Sequence, residues 1–251
     1  MTVTLAEGLA EGEHTVKVLK STEAMGFDLE VFSLETDGAF LSAPEKPARK
    51  LEIYGDSITA GHTALRSGTA DEKLTTETED ALSSYGFAAS QLLGAQANVF
   101  CVSGARMGDY GDAANVIPKL YEKTDPAAPG SRAWDFSLYV PDAVIVDLGT
   151  NDKLLGISDA AVRAAYKRLL DLITEKYPQA YIFCCTGAMS SVSADIAAQL
   201  GAIASGLAEE YGGRVTHVEL PVVSTAGHPK EADHRSNGLY LTSQMRRVMQ
   251  L

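Results

Sequence analysis

From Leu51 onward, short apolar runs rich in β-branched residues alternate with longer stretches of helical periodicity, and no other feature restricts the chain as much. The apolar runs are LEIYG (51–55), ANVFCVS (97–103), DAVIVDLG (142–149), AYIFCCTG (180–187) and RVTHVEL (214–220). Helical patterns fall near 82–94, 158–177, 193–211 and 234–250. Strands that alternate with helices predict an α/β fold, a five-stranded parallel sheet sandwiched between two helical layers. Five such strands suit a flavodoxin-like order, which sequence alone does not fix. In open sheets of this kind, sites form outside the carboxyl ends of the strands, so the residues just past each run are the ones to read.

The first fifty residues follow another pattern. Residues 14–34 (HTVKVLKSTEAMGFDLEVFSL) alternate polar and apolar in short runs, which predicts two or three β-strands with a turn near Met25 and Gly26. The stretch APEKPARK (43–50) carries two prolines and four charges and reads as a linker. The expected organisation is a short N-terminal β segment (1–46) and an α/β domain (47–251), which 251 residues accommodate.

The net charge of -12 argues against nucleic acid as a partner, because a phosphate-binding face needs a Lys/Arg excess. The clusters Lys46, Arg49, Lys50 and Arg246, Arg247 are short and read as solvated surface. The same charge repels anionic membranes. The N-terminus lacks a charged region followed by an apolar run, and no stretch nears the roughly 18 apolar residues of a membrane span, so the expected location is cytoplasmic. Cys101, Cys184 and Cys185 are odd in number, two are adjacent, and all lie in strand-like runs. They read as buried reduced thiols, and no CxxC or HxxxH spacing points to a metal.

Four strand ends carry chemistry. After the first run comes GDSITAG (55–61), where Ser57 sits on a strand-to-helix turn and meets unpaired N–H groups at a helix start. Asp56 or Ser57 could equally be a simple helix cap. After the second come Ser103 and Gly104; the glycine can bring its N–H close to a reacting oxygen, or simply make a turn. After the third comes GTND (149–152), where Asn151 offers a side-chain donor for an oxyanion or caps a helix. Past the last run lies TAGHP (225–229), with His228 as a general base near neutrality. His62, next to Gly61, is placed to line the pocket, and His217, inside a strand, reads as structural. Taken together, these strand ends supply a nucleophile, two oxyanion donors and a base in chain order, the parts acyl transfer requires.

GDSITAG, Gly104, GTND and the pair His228 and Pro229 resemble the four blocks of the SGNH hydrolases, in the right order. The chain is further similar to carbohydrate esterase family 2 in EGEHTVKVLKSTEA (11–24), GDSITAGH (55–62), ETEDALSSYGFAASQLLGA (77–95), WDFS (134–137), PDAVIVDLGTND (141–152) and GHP (227–229). The resemblance implies Ser57 as nucleophile, an oxyanion hole from the N–H of Ser57, the N–H of Gly104 and the side chain of Asn151, and His228 as base. It implies an acetylated saccharide as substrate, which the acidic charge does not repel, and no cofactor or metal.

Three departures stand out. The family usually places an Asp two or three residues before the histidine, where this chain has Ala226 and Thr225, so the resemblance leaves a Ser–His dyad oriented by a backbone carbonyl. Arg106 stands where block II tends to have a second glycine and could narrow the pocket or charge it. Some forty N-terminal residues are too few for the eight strands of a jelly roll, so a truncated sandwich is expected, with an edge on which a second subunit could pair. Trp134, the single tryptophan, either stacks on a sugar ring or anchors its loop. The rival readings are an esterase for other short-chain esters and an SGNH fold that binds glycan without hydrolysing it.

Overall fold

The computed structural model describes residues 2–23, 29–68, 73–110, 116–124, 130–221 and 227–251. Five strands form one parallel sheet: β1 (Lys50–Gly55), β2 (Gln96–Cys101), β3 (Ala143–Asp147), β4 (Tyr181–Gly187) and β5 (Val215–Leu220), in the order β2-β1-β3-β4-β5. Each strand lies on an expected run. The order is the flavodoxin-like one, and the chain reverses direction across the sheet between β1 and β3.

Side-chain alternation along the strands divides the core in two. Val144, Val146, Ile182 and Cys184 face a layer that includes α5 (Asp159–Lys176) and α6 (Ala194–Tyr211). Ile145, Phe183 and Cys185 face the other layer, with α2 (Tyr85–Leu92) and α7 (Glu231–Met249). In α5 the buried residues are Val162, Ala165, Tyr166, Leu169, Leu170 and Ile173, the spacing of a one-sided helix. Ser158 and Ser193 cap α5 and α6 by accepting from the N–H of Ala161 and Ile196. Short helices α1 (Ser57–Ala60), α3 (Ile117–Leu120) and α4 (Thr150–Leu154) complete the set. The three thiols are unpaired; Cys184 and Cys185 are buried and Cys101 half-buried.

The N-terminal segment departs from expectation. Among the described residues no strand forms before Lys50; Met25 and Gly26, the expected turn, lie outside them. The alternation is real, but Val16, Val18, Leu29 and Val31 are exposed, and Phe32 is 90% so. A strand needs a hydrogen-bonded neighbour, and this segment has none along its length in the described chain. It does bond the domain at Ser21–Glu23: the N–H of Ala81 donates to Ser21 O (2.8 Å), and the N–H of Glu23 to Glu79 Oε2 (3.1 Å).

Candidate active site

β1 ends at Gly55, and the chain turns at once into α1. Asp56 caps this helix, its Oδ1 accepting from the N–H of Ile58 at 3.0 Å. That makes Ser57 the first helical residue. α1 has only four residues, so the macrodipole expected at Ser57 is small and the local N–H groups are what remain. Gly61 closes α1 at φ 69, a left-handed cap that sends His62 back over Ser57, whose carbonyl accepts from the N–H of His62 at 3.0 Å.

His228, 171 residues later in the chain, places Nε2 2.8 Å from Ser57 Oγ. For the imidazole to accept from the serine hydroxyl, its proton must sit on Nδ1. Thr225 and Ala226 lie outside the described residues. His62 lies against the base, the two ring centroids 4.3 Å apart. Its Nδ1 is 3.5 Å from Ser103 Oγ.

The two other motif donors arrive from β2 and β3. Val102 to Ala105 form a turn closed by the N–H of Ala105 on Val102 O (2.9 Å), with Gly104 at φ 78, where only glycine is unstrained. Among the described residues no hydrogen bond occupies the N–H of Gly104 or of Ser57. Asn151, on α4, donates from Nδ2 to Asp56 Oδ2 (3.0 Å) and to Ala105 O (3.1 Å). Asp152 beside it is buried and fixes the loop after β2, accepting from the N–H of Met107 (3.2 Å), the N–H of Gly108 (3.2 Å) and Tyr110 Oη (2.8 Å).

Buried acids underlie this arrangement. Burial, and then the nearby Asp152 carboxylate, push Asp56 up to about 7. Asp147, at the end of β3, is raised well above the carboxylate range by burial and by Asp56. Glu79 is pushed up to about 7 by burial and by the neighbouring Glu23. Glu23 in turn accepts from the N–H of Ser103 at 2.7 Å, so the N-terminal segment braces the Gly104 turn.

The structure brings Ser57, His62, Gly104, Asn151 and His228 together. It does not bring Trp134 to them. The N–H of Trp134 donates to Glu122 O (2.8 Å), and its indole lies beside Tyr177, whose hydroxyl donates to Glu52 Oε2 (3.1 Å) early in β1. Ser57 follows the far end of that strand, five residues or roughly 16 Å on. Trp134 therefore anchors its own loop. Arg106 is buried, and its backbone pairs with Val116 in a β-bridge. His217 is structural, its two nitrogens each 2.8 Å from Ser205 Oγ and Thr186 Oγ1. Sequence reasoning missed Arg66, Glu23, Glu79 and Ser190. Arg66 and Ser190 both touch the base segment: Arg66 Nη2 donates to His228 O (2.7 Å), and the N–H of Gly227 donates to Ser190 Oγ (3.1 Å).

A hydroxyl on an imidazole, two open backbone N–H groups and an amide at the carboxyl ends of a parallel sheet define an α/β acyl hydrolase site. The GDSL-like lipase/acylhydrolase family matches residues 53–245, and the chain belongs to that family. It is 38% identical over 193 residues to a cellulase/esterase, CelE, of Acetivibrio thermocellus, covering 75% of this chain and 23% of that protein. The chain thus spans about a quarter of that relative's length. It is 30% identical over 247 residues to an acetylxylan esterase / glucomannan deacetylase of Cellvibrio japonicus, covering 95% and 68%. Among solved structures, a family two carbohydrate esterase from Clostridium thermocellum in complex with cellohexaose superposes with a TM-score of 0.77 at 28% identity, over 86% of this chain and 69% of that one. A family two carbohydrate esterase from Cellvibrio japonicus gives 0.74 at 30%, over 84% and 64%.

Proposed function

We propose that this protein is a serine esterase that removes O-acetyl groups from carbohydrate through an acetyl-Ser57 intermediate. The observation that carries the reading is the 2.8 Å approach of His228 Nε2 to Ser57 Oγ, beside the N–H groups of Ser57 and Gly104, which no hydrogen bond occupies among the described residues. His228 takes the Ser57 proton as Oγ attacks the ester carbonyl. The oxyanion forms among the N–H groups of Ser57 and Gly104 and the amide of Asn151. The imidazolium then gives its proton to the departing sugar oxygen. Water, activated by the same imidazole, releases acetate and restores Ser57. The acetyl preference is supported by the acetylxylan esterase / glucomannan deacetylase relative, which aligns with 95% of this chain.

The test is acetate release from acetylated xylan and from p-nitrophenyl acetate, with longer acyl esters alongside and Ser57→Ala as the comparison. The expected result is release by the wild type, abolished in Ser57→Ala and weaker on longer acyl chains. Wild-type release no greater than that of Ser57→Ala on every substrate would overturn the esterase reading. Faster turnover of longer acyl esters would overturn the acetyl preference alone.

A further inference from the structure

We propose that Arg66 is the positioning residue of the base: it holds His228 by its backbone carbonyl and so directs the imidazole at Ser57. The inference rests on the esterase reading for its catalytic consequence, and on geometry for the rest.

Arg66 is 2% exposed. A guanidinium is kept out of water only where strong acceptors meet it. Here Nη2 donates to His228 O at 2.7 Å, while Nη1 donates to Thr63 O at 3.1 Å and reaches Thr63 Oγ1 at 3.4 Å. The rigid fork thus ties the loop that follows the nucleophile helix to the loop that carries the base. Thr63 itself has φ 53 and is wholly buried. A β-branched residue avoids that conformation, and strain of this kind persists where surrounding structure enforces it. The strained turn is what presents both Thr63 acceptors to one side of the fork.

The two loops meet at further points. The N–H of Glu231 donates to Ala64 O (3.1 Å), and Lys230 Nζ donates to Gly68 O (2.8 Å). On the other flank of the base, Ser190 Oγ accepts from the N–H of Gly227. The backbone is therefore held on both sides of His228, and only its two side-chain torsions remain. Ser57 fixes one end of the ring, and the His62 ring covers its face. This device positions the base through its backbone. It differs in kind from a carboxylate partner, because the positive guanidinium bonds the carbonyl and gives no charge stabilisation to an imidazolium.

The test compares Arg66→Ala and Arg66→Lys with the wild type by steady-state kinetics, thermal melting and histidine NMR. Misplacing a catalytic group by about 1 Å costs on the order of 10²-fold. Arg66→Ala is expected to lose about that factor in kcat with KM nearly unchanged. Added guanidinium should recover at least about tenfold of the loss while leaving Ser57→Ala inert. Arg66→Lys, which keeps one donor, should fall between the two. The His228 ring proton signals, displaced in the wild type by the His62 ring, should move toward those of a free histidine in Arg66→Ala.

Unchanged kcat in Arg66→Ala, unchanged His228 signals, or a loss in both variants that follows melting temperature and resists guanidinium would each overturn the proposal. A wild type without esterase activity would instead overturn the functional reading, and the NMR comparison would still decide the role of Arg66.

Discussion

Asn151 enters the resting site with both amide hydrogens committed, one to Asp56 Oδ2 and one to Ala105 O. A primary amide has only two hydrogens, so an arriving oxyanion must compete with the carbonyl of Ala105 or share its hydrogen. The bond to Asp56 keeps the amide plane fixed while that exchange happens. Such an interaction exists mainly in the transition state, which is the condition for raising kcat. Asn151→Ala is therefore expected to lower kcat by about 10²–10³ and to leave KM within a few-fold. The variant should keep its fold, since a half-buried amide on a short helix is all that is removed. Steady-state kinetics on p-nitrophenyl acetate check this, and near-normal kcat in a folded variant would remove Asn151 from the mechanism.

At the scale of elements, the turn after α1 does the positioning. Gly61 has φ 69, and a Cβ built there would stand 2.1 Å from the carbonyl oxygen of Asp80. Gly94 has φ 58, and a Cβ there would meet nothing within 4 Å. Gly94→Ala thus reports backbone strain alone, about 1 kcal/mol. Gly61→Ala adds a backbone clash and is expected to cost about 2–3 kcal/mol more and to reduce activity, because His62 and Arg66 follow on the same turn. Urea unfolding of the two variants measures the difference; equal midpoints would show that the Asp80 loop gives way freely.

These elements also show what sequence could and could not reveal. The five strands were legible because a buried parallel strand needs apolar side chains on both faces, and such runs stand out whatever they pair with. Ser57, Asn151 and His228 were legible because each follows such a run. The N-terminal alternation reads as strands, yet a strand is defined by its neighbour and no sequence window contains one. For Trp134 the sequence does not decide between sugar and loop, because a single aromatic side chain does not say at which end of the sheet it lies. Arg66 was invisible for a similar reason: its partner is 162 residues away, and nothing near Thr63 marks it.

For the molecule as a whole, the buried titratable groups set a dependence of stability on pH that opposes the usual trend for carboxylates. Glu79 is 1% exposed, and among the described residues its Oε1 has no hydrogen-bond partner, as a neutral carboxyl tolerates better than a carboxylate. Glu79 and Asp56 each titrate near about 7 in the fold, against ordinary values of 4.5 and 3.8. Each therefore holds a proton in the native state that the unfolded chain has released between those limits. Their contribution is fully present below the unfolded values and is lost as pH rises through 7. His234 acts in the other sense. Burial lowers it to about 3, so its contribution is present above 6.5 and is lost as pH falls toward 3. Asp147 and Glu52, both raised by burial, act with the carboxyls of Glu79 and Asp56, and His217, lowered by burial, acts with His234. Between pH 5 and 6.5 the carboxyls outweigh the imidazoles and stability falls as pH rises, and above 6.5 the imidazoles no longer counter them. The net charge of -12, which self-repulsion makes less favourable as carboxylates ionise, works in the same direction. The unfolding free energy is therefore expected to fall from pH 5 to pH 8, by up to about 1.4 kcal/mol per pH unit for each proton held only by the fold, and the melting temperature to fall with it. Glu79→Gln, neutral throughout, should flatten that slope chiefly by raising the melting temperature at pH 8. A melting temperature that climbs from pH 5 to pH 8 in the wild type, or a slope untouched in Glu79→Gln, would mean that Glu79 is ionised where it lies.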